Sequence, residues 1–157
     1  DPGGGEVPAG YRAVIRTPGG DLVDRIRCAG RSGRSGLLAP GRYFLQPGTR
    51  HLACGLRPFE ILPGEERELV LVLRPGTPVE LRLPVRAAGA FLEVTGGEGL
   101  PALRRRVGRV RAEGGIVLHF ALAPGRYRAR VEAKGGAGGE RLFRVGKKPV
   151  VREISLR

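Results

Sequence analysis

The chain contains no Met, Trp or Asn and only two Cys, and aromatic residues make up 5% of it. No apolar run approaches the roughly 18 to 20 residues that a membrane-spanning helix needs, so no span of that kind is expected. Without Met, Asp1 is not expected to be a translation start, and the expectation is that something upstream was removed or left out. No charged-then-apolar signal segment remains to be mistaken for structure. Helical periodicity is missing over any useful length, which argues against a long-helix protein. Catalytic side chains are equally sparse: two His (His51, His119), three Ser (Ser32, Ser35, Ser155) and no Asp after Asp24. A Ser-His-Asp arrangement needs a positioned base and an orienting carboxylate, and no His lies near any of these Ser in sequence. No Gly-x-Gly-x-x-Gly or P-loop pattern precedes a helix. His51, Cys54 and Cys28 supply three ligands for zinc where a closed structural site takes four. These absences argue against an enzyme, a metal site and a bound cofactor.

What is abundant points elsewhere. Gly 27 and Pro 13 are a quarter of the 157 residues, yet 41% of the chain is apolar and arrives in short alternating runs. A folded all-β protein with many turns fits both facts.

Net charge is +13, carried by 25 Arg and only 3 Lys. Residues 1–77 are net +3 and residues 78–157 net +10, so the second half is where a polyanion is drawn. Arg104, Arg105, Arg106, Arg109 and Arg111 form the densest basic patch, a candidate surface for acidic polysaccharide or an acidic partner. Single-strand nucleic-acid binders add aromatic stacking platforms, and this patch has none, which argues against nucleic acid. The same arginines also read as charge that protects a strand edge from aggregation. Cys28 and Cys54 form an even pair in a chain read as leaderless, which favours one disulfide. It closes a loop of about 26 residues, worth about 3 kcal/mol on the chain-entropy argument. Two separate buried thiols is the alternative.

The most informative feature is a repeat. Leu38-Ala39-Pro40-Gly41-Arg42-Tyr43 recurs as Leu122-Ala123-Pro124-Gly125-Arg126-Tyr127, an offset of 84. Each copy runs on for about 30 residues and closes with an alternating segment, Glu68–Arg74 in the first case and Val151–Arg157 in the second. Two homologous modules are expected, at 11–76 and 77–157, behind an extended tail at 1–10. The turn-rich break Arg74-Pro75-Gly76-Thr77-Pro78 is expected to separate them with few crossing contacts. Period-two alternation places first-module strands at 11–17, 21–28, 42–46, 50–54, 59–62 and 67–73. In the second module it places them at 79–85, 90–95, 103–112, 116–121, 126–133, 141–145 and 150–156. About seven short strands per module, with a turn signal every 8 to 12 residues, is the pattern of a β-sandwich.

Residues 113–133, Glu-Gly-Gly-Ile-Val-Leu-His-Phe-Ala-Leu-Ala-Pro-Gly-Arg-Tyr-Arg-Ala-Arg-Val-Glu-Ala, resemble the carboxypeptidase regulatory-like, or transthyretin-like, β-sandwich domains. The likeness covers about 113–156 and, more weakly, 37–74. In this reading Pro124-Gly125 reverses the chain between two paired strands. Tyr127, Ala129 and Val131 then face the core, and Arg126, Arg128 and Arg130 face water. Glu113-Gly114-Gly115 only approximates the family's acidic-Gly start, and the first module nearly lacks that strand. The fold expected is two tandem antiparallel immunoglobulin-like or transthyretin-like β-sandwich modules. The resemblance implies a non-catalytic, secreted bacterial protein used as a spacer, stalk or surface module. The tail residues Glu6, Val7 and Pro8 form no regular element alone. An extended tail can pair with the open edge of a neighbouring copy, which gives self-association and a filament subunit at the cell surface as the expectation.

Overall fold

The computed structural model describes residues 12–29, 32–47, 52–53, 56–70, 73–97, 99, 101–108 and 115–157. Among them the chain is all β, with a single 3-10 turn at Val85–Ala87. The first module contributes β1 (Arg12–Arg16), β2 (Leu22–Ala29), β3 (Ser32–Gly33), β4 (Gly41–Pro47), β5 (Leu52–Ala53), β6 (Arg57–Ile61) and β7 (Arg74–Pro75). The second contributes β8 (Thr77–Leu83), β9 (Phe91–Gly96), β10 (Pro101–Arg106), β11 (Ile116–Leu122), β12 (Gly125–Glu132), β13 (Gly138–Val145) and β14 (Val150–Glu153).

The second module is a two-layer sandwich. One layer has the order β10-β9-β12-β13 and the other β11-β8-β14. Alternation decides which side chains go inside: on β8 Val79, Leu81 and Leu83 are buried between more exposed neighbours, and on β12 Ala129 and Val131 are buried while Arg126, Arg128 and Arg130 face water. Leu81, Leu92, Val94, Ala129 and Val131 from the two layers meet in one core with no exposure to solvent or almost none. One pairing departs from the expected antiparallel pattern. β14 runs parallel to β8, with Val150 opposite Val79 and Glu153 opposite Arg82.

The first module repeats one layer of the second. Its sheet has the order β3-β2-β1-β4-β6, and β2-β1-β4-β6 matches β10-β9-β12-β13 strand for strand. The register agrees: Ile15 lies opposite Leu45 as Val94 lies opposite Ala129, and Tyr43 opposite Phe59 as Tyr127 opposite Phe143. Its core is smaller, formed by Ala13, Ile15, Tyr43, Leu45 and Phe59 with Leu38, Leu69 and Leu73 packed at its margin.

Three local expectations are corrected. Pro124-Gly125 does not join paired strands: β11 pairs with β8 and β12 with β9 and β13, so the turn carries the chain from one layer to the other. Alternation is the same for a hairpin and for such an arch, so the pattern does not distinguish them. Residues 66–70 alternate but form no strand, and among the described residues that follow, Arg74–Pro75 pairs with Leu52–Ala53. The break at 74–78 is not a bare linker either. It runs from β7 straight into β8, and a Cβ added at Gly76 would lie 2.8 Å from the Cβ atoms of both Ala53 and Ala121.

Candidate functional site

The repeated hexamer builds the same small device twice. The Tyr43 hydroxyl donates to the Ala39 carbonyl at 2.6 Å, and the Tyr127 hydroxyl donates to the Ala123 carbonyl at 2.7 Å. Each ring stacks on the Phe across the ladder, with centroids 5.6 Å apart for Tyr43–Phe59 and 5.9 Å for Tyr127–Phe143. The tyrosine ties the chain entering the strand to the strand itself, and the stack fixes the next strand's register. Burial pushes the Tyr127 hydroxyl above the usual tyrosine range. This is a structural device, not a reactive one.

The arginine patch on β10 lies against the first module. The Arg104 Nε pairs with the Glu93 carboxylate, and its guanidinium sits 5.2 Å from the Phe44 ring centre. Arg106 Nε meets Asp21 Oδ1 at 3.1 Å, while its Nη1 donates to the Gly89 carbonyl at 3.2 Å. The Arg106 N–H donates to the Gly20 carbonyl at 3.0 Å. Arg105, between them, is largely buried, and burial, then Arg25, lower its pKa. Arg109 and Arg111 lie outside the described residues. Further along the seam the Leu56 N–H reaches the Pro101 carbonyl at 3.4 Å. The two modules therefore touch through β10 and the turn after β1.

Gly20 makes that approach possible. Its φ is +85°, and an added Cβ would sit 2.8 Å from the Arg105 carbonyl carbon. Gly64, at φ +72°, has open space around the same position. Gly20→Ala is expected to cost about 1–3 kcal/mol from backbone strain plus the forced retreat of β10. Gly64→Ala carries the strain alone and should cost less. Urea unfolding of both variants checks the difference, and equal costs would show that β10 does not press on Gly20.

The remaining expected site residues are dispersed. Cys28 is half-buried on β2 at the margin of the first core, and burial pushes its thiol up. Its expected partner Cys54, together with His51, lies outside the described residues, as do Glu6, Val7 and Pro8. His119 is exposed on β11 opposite Glu80. Glu65 accepts from the Leu62 N–H at 2.9 Å to close a turn, and Glu66 pairs with Arg34. Among the described residues no three of His, Cys, Asp or Glu come together, and no helix is long and apolar enough to cross a membrane. A shallow open depression of about 460 Å³ lies between β12 and β13, lined by Arg130, Glu132 and Glu140 and by the intervening glycine-rich turn.

No protein-family model and no curated protein matches the sequence. Among solved structures the chain is similar to one titled "The Bacillus anthracis TIE protein", at 12% identity and a TM-score of 0.38. The match covers 94% of this chain and 30% of that one.

Proposed function

We propose that this chain is a non-catalytic structural protein of the bacterial cell surface or extracellular space, a spacer that polymerises by exchanging its amino-terminal strand. One observation carries the reading. In the second module, β8 is the middle strand of its layer and holds β11 and β14 on either side. The equivalent flanks in the first module are 34–38 and 66–70, and among the described residues neither belongs to a ladder. Leu38 and Leu69 still reach the core, whereas Leu37 and Val70 stand exposed. A strand added between these flanks would satisfy both their backbone and the apolar face at once. The carboxypeptidase regulatory-like resemblance of 113–156 supports the same class, since such modules serve as spacers.

The acidic-glycan alternative has less behind it. It requires Arg104, Arg105 and Arg106 to face a ligand, and Arg104 and Arg106 already pair with Glu93 and Asp21 while Arg105 is largely buried. Sedimentation velocity and electron microscopy of the intact chain test the proposal. Polymers of regular width that persist at high salt are expected. A strictly monomeric protein that binds acidic glycan in a salt-sensitive way would favour the alternative.

A further inference from the structure

The seam between the modules gathers Arg16, Arg25 and Arg105, and among the described residues none of the three forms a salt bridge. Arg16 on β1 sits where burial, then Arg105 and Arg25, push its guanidinium down to about 10, and Asp21 opposes this as the smallest of the four influences. Asp21 is itself bonded to Arg106. Asp24, the other nearby acid, accepts from the Gly36 N–H at 2.9 Å on the far side of β2. The Gly20 carbonyl fixes the approach by accepting from Arg16 Nη1 at 3.1 Å and from the Arg106 N–H at 3.0 Å. The Nε atoms of Arg16 and Arg105 are both buried without a hydrogen-bond partner among the described residues. So is the Oε1 of Gln46, which is 5% exposed on the same face of the first sheet. A fold retains buried charges of one sign when something neutralises them, and a buried N–H donor calls for an acceptor.

We propose that the seam binds one small oxyanion of phosphate or sulfate type, bridged between the Nε–H groups of Arg16 and Arg105 with Arg25 completing the charge. The planar guanidinium fork matches such an oxyanion better than it matches a halide, which accepts no directed pair of bonds. The Gln46 amide, turned about its last torsion, adds a neutral donor. Bound there, the anion ties β1 to β10 and sets the angle between the modules.

Free phosphate or sulfate and a sulfate or phosphate ester on a glycan share this chemistry. Thermal unfolding of the full chain separates them, run in sodium chloride, sulfate or phosphate at matched ionic strength, and with a sulfated disaccharide. Sulfate or phosphate at millimolar concentration is expected to raise Tm along a saturating curve that chloride does not reproduce. Arg25→Gln, an exposed position that leaves the core intact, should need about tenfold more anion for the same rise. Arg144→Gln, on the far strand β13, should change nothing. If the disaccharide raises Tm as the free ions do, the site admits an ester; if it does not, the site holds the free ion. A rise that climbs without saturation into high concentration reports exclusion from the protein surface instead. That result, an equal effect of chloride, or an unchanged response in Arg25→Gln would overturn the proposal.

Discussion

Deleting residues 1–10 is expected to abolish assembly while leaving both modules folded. Residues 6–11 alternate, with Val7, Ala9 and Tyr11 on one side, as Val79, Leu81 and Leu83 do on β8. In sedimentation velocity the truncated chain should remain monomeric, with an unchanged β signal in circular dichroism. Normal polymerisation of the truncated chain would sink the exchange mechanism. Should the truncation compromise folding, Val7→Asp in the full-length chain asks the same question, because a charge on the buried side of the donated strand blocks docking.

Leu81→Ala is expected to destabilise the second module by about 2–5 kcal/mol, the range for emptying a well-packed core position. Leu81 is 0% exposed on the middle strand β8, opposite Leu118 on β11 and Arg152 on β14. Both layers hold it, so its surroundings have little freedom to collapse into the cavity. A domain of ordinary stability holds about 5–15 kcal/mol in all, so this one change removes a large share. Leu45→Ala, in the smaller first-module core, should cost less in the isolated chain, because fewer buried side chains surround it. Urea midpoints of the two variants measure the contrast. A cost below that of Leu45→Ala would mean that β8 is not the spine of its layer.

Much of this fold is legible in the sequence, and the reasons are local. Ala129 and Val131 against Arg126, Arg128 and Arg130 give the faces of β12 directly, because burial and alternation share a period of two. The repeated hexamer identifies equivalent positions, and the matched Tyr–Ala hydrogen bonds and Tyr–Phe stacks show that these positions are built alike. What escapes the sequence is which strands pair. Pro124-Gly125 turns the chain equally well within a sheet or between sheets, and the parallel course of β14 has no signature in its residues. Residues 66–70 carry a strand's pattern without a strand's neighbours, so alternation alone overstates them. The arginines of β10 show the same limit at the level of the site. Read in sequence they are an exposed basic run. Asp21, which meets Arg106 from 85 residues away, and Arg16 and Arg25, which crowd Arg105, come from other strands. Only the fold brings them together.

The most direct measurement of the central claim is an electron cryomicroscopy reconstruction of the assembled protein, at a resolution that traces strands. The account predicts residues 6–11 of one copy laid as a strand between segments 34–38 and 66–70 of the next, with Val7 and Ala9 turned toward Leu45 and Phe59. A polymer whose first-module face stays uncovered, or is closed by the chain's own residues while copies meet elsewhere, would contradict it.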